Sequence, residues 1–255
     1  MRKKQMILDE DAVSEALGFI LVFAIITLSI GIIYVVGYPA IQDSKDRAQM
    51  RNMEKNFIVL QSSIETVALG QSPVKTIRMG LGGGTITVDG SGGALSVTAP
   101  NISYNGYVGN ITYEMDGRQI IYENGGIWSR YPSGGSVEIS SPKISLRKDS
   151  SDLRYLTVSI IEINSSISSA GGDGIITFTI ESADQTTSAP QIENTAGTAW
   201  INITTSTPDA WARYFRELND TAGGGVSVTS GTMTCNASIQ YDRFVMNNHS
   251  VDVRV

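Results

Sequence analysis

An uncharged apolar run dominates the N-terminal part of the chain. Residues 16–41 contain no Asp, Glu, Lys or Arg over 26 positions. About 20 mostly apolar residues suffice for a helix to cross a bilayer, so this run is long enough for a membrane span. It is too long for the apolar core of a secretory signal peptide, which has about 7–15 residues. Because Arg2, Lys3 and Lys4 precede the run, we expect a cytoplasmic N-terminus and an external remainder.

The helical pattern continues beyond the apolar run. Apolar residues recur at spacings of 3 and 4, with polar and charged residues between them. The members of this stripe are Met50, Met53, Phe57, Leu60, Ile64 and Val67. Gly70 is a helix-stop signal, so we expect one helix over residues 13–69 that is disturbed at Pro39. A simple anchor does not need the amphipathic part, residues 42–69, which should pack on the chain's own head domain or on other copies.

The period of the pattern changes from helical to two after a Gly-rich linker predicted over residues 70–84. The turn signals Asp116-Gly117 and Asn124-Gly125 separate short alternating segments, whereas residues 208–218 form an amphipathic helical pattern. The fold class is therefore predicted as α+β, one long N-terminal helix followed by a mainly-β, sandwich-like head over residues 85–255. The predicted strands are 85–88, 94–98, 102–104, 111–115, 119–123, 136–139, 155–163, 175–181, 199–205, 226–230, 238–242 and 251–255.

The composition narrows the possible chemistry. A single Cys excludes an internal disulfide and a Cys-rich metal site, and a single His excludes multi-His metal centres. A net charge of −6 argues against nucleic acid as the main partner. We expect Cys235 to be a buried small hydrophobe, with intermolecular pairing as the alternative, and His249 to be a surface residue. The sequence predicts no enzymatic activity, cofactor or metal.

The motif Asn-x-Ser/Thr occurs seven times, always in the predicted head. Composition alone predicts roughly 2–3 copies of this acceptor of N-linked glycans. We therefore expect at least two of the seven to be glycosylated on an extracellular head, although a Ser/Thr-rich domain also produces such motifs by composition. The candidates are Asn101, Asn110, Asn164, Asn202, Asn219, Asn236 and Asn248.

The string DEDAVSEALGFILVFAIITLSIGIIYVVGYPAI, residues 9–41, resembles the N-terminus of archaeal type IV pilins and pilin-like surface proteins. The resemblance implies a charged leader, residues 1–12, that a prepilin peptidase removes after Ala12, leaving Val13 as the mature N-terminus. It also implies the lollipop architecture of pilins and delivery to a pilus assembly platform. In the head, IIYENGGIWSRYPSG (120–134), SPKISL (141–146) and DAWARYF (209–215) are similar to segments of archaeal pilin-like proteins of unknown role.

By the same resemblance, residues 16–41 would leave the membrane to form the core of a filament. Small residues would then allow close contact between helices, and Glu15 would pair with the amine of Val13 or remain at headgroup level. Glu15 departs from the family pattern, because many archaeal relatives have Pro there. The candidate assembly residues are Glu15, Gly18, Gly31, Gly37, Pro39 and Phe57.

Two functions of different classes remain open. The first is a pilin that polymerises with copies of itself into an extracellular filament for adhesion or surface attachment. The second is a membrane-anchored surface module that binds a ligand or partner without polymerising.

Overall fold

The structure is a computed structural model that describes residues 10–183 and 189–255, with side chains described from Ser14 onward. Residues 1–9 of the expected leader therefore lie outside the described residues. The chain divides into two compact units, one ending at Arg51 and one running from Asn52 to Val255. The two units are described separately.

The N-terminal helix has three parts, α1 (Glu10–Ile32), a π-helical turn (Ile33–Gly37) and α2 (Tyr38–Ala68). The run Ser14–Ala68 is helical throughout, which confirms the predicted long helix. The predicted disturbance at Pro39 takes the form of the π-helical turn. Proline has no N–H to donate, and a wider turn immediately before it accommodates the carbonyls that lose a partner.

The remainder is mostly β, as predicted, and its described residues form three sheets. Sheet A has the order β1 (Val74–Gly80), β12 (Ile175–Ser182), β17 (Arg243–Arg254), β10 (Arg154–Asn164) and β9 (Ile144–Lys148), and β13 (Gln191–Glu193) also pairs with β17. Sheet B has the order β11 (Ser168–Gly171), β2 (Thr85–Asp89), β5 (Asn110–Met115), β6 (Arg118–Glu123), β7 (Gly126–Arg130) and β8 (Ser136–Ser140). Sheet C has the order β15 (Val226–Ser230), β16 (Thr234–Tyr241), β14 (Gly197–Thr204), β3 (Ala94–Thr98) and β4 (Ser103–Tyr107).

The predicted Gly-rich linker over residues 70–84 is wrong for its central part. Strand β1 occupies Val74–Gly80 and pairs antiparallel with β12 over its whole length. The reason is that backbone pairing with β12 needs no apolar side chain, and β1 is mostly exposed. The chain therefore enters the head through a sheet strand.

Two predicted hairpin turns are confirmed. Asp116 and Gly117, between β5 and β6, have φ of 52° and 73°. Asn124 and Gly125, between β6 and β7, have φ of 45° and 76°. Positive φ at both central residues is the geometry of the two-residue turns that match strand twist, and Asn, Asp and Gly adopt it at the least cost.

One hydrophobic core joins sheets A and C with the helix α3 (Pro208–Thr221), and Trp128 of sheet B reaches into it. The predicted helix over residues 208–218 is thus confirmed, with three further residues at its end. The strand residues of this hydrophobic core include Val158 and Phe244 of sheet A and Ile201 of sheet C. Two sheets sharing a core agree with the sandwich-like layout expected for the head.

Candidate assembly surface and head sites

The apolar part of the N-terminal helix is exposed on every side. Large hydrophobic side chains are solvent-accessible from Leu17 to Ile41, reaching 81% exposure at Phe19 and 72% at Val35. The helical run Ser14–Ala68 contains an 18-residue window with a mean hydropathy of 2.9 and no buried residue. By length and composition it can cross a membrane. So much exposed apolar surface needs lipid or other protein to cover it.

The glycines of this helix leave notches in its surface. Among the described residues, a Cβ added at Gly18 or Gly31 would meet nothing within 4 Å, and one at Gly37 would meet only Ile33 Cγ2 at 3.9 Å. Gly18 and Gly37 each lie in a shallow apolar groove of about 300 Å³. A glycine inside a helix lowers helix stability by about 1 kcal/mol relative to alanine. No described neighbour in the unit of residues 14–51 requires the small size of these three glycines.

The remaining assembly and processing candidates lie on the same helix. Glu15 is an exposed residue of α1, and Pro39 follows the π-helical turn. Tyr34 and Tyr38 stack with their ring centroids 5.6 Å apart, at the end of the apolar run. Ala12 and Val13 fall within α1, but their side chains lie outside the described residues. Cleavage after Ala12 stays a prediction.

The structure corrects the assignment of Phe57 to the assembly surface. Met53, Phe57, Leu60, Ile64 and Val67 are at most 1% exposed in the unit that starts at Asn52. Of the two partners left open for this stripe, the head of the same chain is therefore the one observed. The helical spacing of the stripe predicts a buried helix face, and the structure confirms that burial. Such a spacing does not indicate which surface covers the face.

Polar contacts fix this end of α2 against the head. The Gln61 amide donates to the carbonyl of Gly125 at 2.6 Å, and Lys143 Nζ lies 2.8 Å from Glu65 Oε1. Burial, followed by the nearby charge of Glu65, raises the pKa of Tyr122 above its ordinary value. The β6–β7 turn therefore serves as the docking point for the helix.

The three head segments that resemble archaeal pilin-like proteins meet in space. Trp128, from segment 120–134, lies 4.8 Å from Trp211 between ring centroids. Trp211 Nε1 donates to Glu123 Oε2 at 2.8 Å, and the Tyr214 hydroxyl donates to the carbonyl of Ile144 in segment 141–146. These contacts attach α3 to sheets A and B, so the segments serve packing.

Glu123 is a buried carboxylate that the sequence analysis missed. It is 1% exposed, and Oε2 accepts hydrogen bonds from Thr205 Oγ1 and Trp211 Nε1, each at 2.8 Å. Burial raises its pKa to about 7, against the lowering effect of these two donors. No sequence signal marks it, because glutamate in a strand is ordinarily exposed and Trp211 follows it by 88 positions.

The pKa of Glu123 predicts a pH-dependent stability that can be measured. Since the folded-state pKa lies above the ordinary value of 4.5, the folded protein binds more protons between pH 4.5 and 7, and stability falls as pH rises across this window. We expect Glu123→Gln to abolish this dependence, which amounts to about 3 kcal/mol. The measurement is urea unfolding at pH 5 and pH 8.

Comparison of the wild-type protein with Glu123→Gln cancels the opposite contribution of His249. Burial lowers the pKa of His249, so its contribution to stability falls as pH drops below 6.5. Both proteins keep this histidine, and the difference between their pH curves isolates Glu123. Parallel curves would contradict the raised pKa.

The structure shows the surroundings of the one cysteine and the one histidine of the chain. Cys235 is buried, as predicted, and burial raises its pKa to about 11. The prediction that His249 is a surface residue is wrong, because it is only 9% exposed and burial lowers its pKa. Its position on β17, opposite Ile161 of β10, places it inside sheet A.

Five of the seven candidate glycosylation residues are hydrogen-bonded or half-buried in the head. Three of their amides are occupied, since Asn101 Nδ2 donates to Glu193 at 2.9 Å, Asn164 to Ser250 at 2.7 Å and Asn248 to Glu162 at 2.9 Å. Asn110 is half-buried against Gly92. Asn219 is also half-buried, and its Oδ1 accepts the N–H of Val226 at 2.9 Å.

Asn202 and Asn236 differ from the other five. Both are exposed, and within the described ranges 14–183 and 189–255 neither side chain has a hydrogen-bond partner. They pair directly across β14 and β16. Asn101 and Asn164 are exposed as well, but their amides are engaged, so Asn202 and Asn236 are the two of the seven that combine exposure with an amide free of partners among the described residues.

Comparison with known proteins gives a family and two archaeal relatives. A family model described as "Family of unknown function (DUF7289)" matches residues 12–254. One uncharacterized protein of Archaeoglobus fulgidus is 26% identical over 163 residues, covering 56% of this chain and 62% of the relative. Another from the same organism is 23% identical over 258 residues, covering 82% of this chain and 84% of the relative. The chain thus matches less than two thirds of the length of the first relative.

Proposed function

The chain belongs to DUF7289, a family of unknown function, and we propose from its structure that it is a structural subunit of an extracellular, type IV pilus-like filament. It would polymerise through the apolar part of its N-terminal helix and serve adhesion or surface attachment. The observation that carries this proposal is the apolar surface of residues 14–41, which no described residue of that unit covers.

The family match strengthens the case that this helix belongs to the working protein. The match begins at residue 12 and includes both the apolar helix and the head. A segment that served only for export would not need to be part of the family's common sequence. The start of the match also adjoins the cleavage proposed after Ala12, which would make Val13 the first residue of the subunit.

The exposed helix is suited to move between a membrane and a filament core. Both environments are apolar, so leaving lipid costs little, and close helix packing at small residues supplies the gain. Gly18, Gly31 and Gly37 offer such contacts, and Glu15 would pair with the amine of Val13 in the filament. In this proposal the partners are further copies of the chain, the prepilin peptidase and the assembly platform.

The N-terminal peptide of the native chain tests this proposal. Filaments are sheared from cells, and the mass of the N-terminal peptide is measured in the sedimented fraction and in the membrane fraction. A peptide that begins at Val13 in the filament pellet is the expected result. A chain confined to the detergent extract and beginning at Met1 would overturn it.

Gly31→Leu is expected to separate assembly from folding. The Cβ of a leucine there meets no atom of the described residues within 4 Å, and leucine improves helix propensity, so membrane content and head stability should be unchanged. It would block a close helix contact, and we expect the chain in sheared filaments to fall at least about tenfold. The matched control is Ile25→Leu, which conserves apolar volume and should assemble normally. Normal assembly of Gly31→Leu would contradict close packing at this notch.

A second function, a membrane-anchored module that does not polymerise, is favoured by one observation. The stripe from Met53 to Val67 is covered by the head of its own chain, so it is not available for contact with other copies. In that case the apolar helix is a permanent anchor. The N-terminal peptide experiment distinguishes this function, because an anchor remains in the membrane fraction.

A further inference from the structure

Sheet C presents an uncharged outer face. None of its five strands, all within the described part of the chain, contains Asp, Glu, Lys or Arg. Alternate residues of its central strand β14 point inward, where Ala199, Ile201 and Ile203 are at most 2% exposed. The residues between them, including Trp200 and Asn202, therefore point outward. The face offers hydroxyl and amide groups around an exposed indole.

Trp200, Asn202 and Thr204 form one stripe on this face. They stand at alternate positions of β14, so consecutive members are about 7 Å apart along the strand. The Trp200 side chain is 51% exposed, whereas Trp128 and Trp211 are fully buried. Exposing the apolar surface of the indole to water is unfavourable, and a group that covers the indole would remove this surface from water. Asn202 and Thr204 are also the acceptor and hydroxyl residues of one Asn-x-Ser/Thr motif.

We infer that Asn202 carries an N-linked glycan whose first sugar lies on the indole of Trp200. A pyranose ring has one face made of C–H groups, and stacking that face on the indole removes apolar area of both from water. Two positions along a strand is about the length of one sugar ring, so a sugar attached to Asn202 reaches Trp200. The sequence signal for this arrangement is Trp-x-Asn-x-Thr within a strand.

The covalent step needs a lipid-linked oligosaccharide as the co-reactant. A C–N bond forms between C1 of the first sugar and Nδ2 of Asn202, and the amide loses one proton. The C1–O bond to the polyprenyl phosphate breaks, and the lipid phosphate leaves with the bonding electrons. Asn202 Nδ2 has no partner among the described residues to break away from, unlike the amides of Asn101, Asn164 and Asn248.

The neighbouring motif at Asn236 is the weaker acceptor. Asn236 lies directly opposite Asn202, and side chains in such a pair are about 5 Å apart, which leaves room for one glycan. The residue two positions before Asn236 is Thr234, which offers no aromatic surface. We therefore expect occupancy at Asn202 and little at Asn236.

The inference rests on the proposed function in one respect, because both require an extracellular head. The glycan does not require a filament. The first test measures glycopeptide masses of the full chain from an archaeal host that performs N-glycosylation. Protease added to intact cells reports whether the head is outside. A modified Asn202 is expected, and an unmodified Asn202 on a protease-accessible head overturns the inference without touching the filament proposal. A protected head overturns both.

Fluorescence of the full chain tests the stacking on Trp200. Acrylamide should quench Trp200 and spare the buried Trp128 and Trp211. We expect quenching at least about twofold weaker in the glycosylated chain than in Asn202→Gln, whereas Asn236→Gln should match the wild type. In the glycosylated chain, Trp200→Ala should lower Tm by about 2–4 °C. When the same substitution is added to Asn202→Gln, which carries no glycan at this position, Tm should not change. Equal quenching with and without the glycan overturns the stacking.

Discussion

Trp211→Ala is expected to destabilise the head by about 3–5 kcal/mol, the usual range for removing a buried tryptophan. Trp211 is fully buried, and its ring centroid lies 4.8 Å from that of Trp128 and 5.9 Å from that of Phe215. The substitution leaves a cavity where α3 meets the sheets. For a domain of this size the loss corresponds to a decrease in Tm of about 10 °C or more.

A second loss accompanies the cavity, because Glu123 keeps only the hydrogen bond from Thr205. A buried carboxylate that loses a donor is expected to have a still higher pKa. Trp211→Phe separates the two effects, since it keeps an aromatic ring and removes Nε1. Thermal unfolding followed by circular dichroism measures both variants. Trp200→Ala in unglycosylated protein is the control, and a Tm change equal to that of Trp211→Ala would contradict the central role of Trp211.

Phe57→Ala is the other substitution with a large expected effect, about 3–5 kcal/mol in stability. Phe57 is 0% exposed in the unit that contains the head, and truncation leaves a cavity between α2 and its neighbours. The measurement is the urea midpoint of the full chain in detergent. If Phe57 instead served contacts between copies, the midpoint would not change and filament yield alone would fall.

Ile58→Ala is the matched control for Phe57. Ile58 is the next residue of the helix and is 45% exposed, so its truncation removes little buried surface. We expect it to cost less than about 1 kcal/mol. Comparable midpoints for the two variants would contradict the burial of the stripe.

The parts of the fold that were predictable depend on local physics. The apolar run, the π-helical disturbance before Pro39 and the turns at Asp116-Gly117 and Asn124-Gly125 follow from properties of a few neighbouring residues. Helix α3 was predictable for the same reason, since Pro208 at its start and the apolar spacing after it act within four turns.

Three of the strands missing from the prediction, β7, β11 and β13, lack such a local signal. β11 and β13 are short and mostly without large apolar residues, so their pairing arises from the neighbouring strand. In β7 the first four residues are all buried, which removes the alternation that marks a strand. Glu123 was missed for a similar reason, because its partner Trp211 lies 88 positions away and the two meet only through the topology.

The central position of β17 in sheet A has a consequence for the time course of folding. β17 pairs in parallel with β10, whose residue Tyr155 lies opposite Arg243, and it also pairs with β12 and β13. Contacts between residues so far apart in the chain close large loops, and domains rich in them fold in milliseconds to seconds. Sheet A therefore stays incomplete until β17 has been synthesised, and the open edges of β10 and β12 are the places where an unfinished head would begin to aggregate.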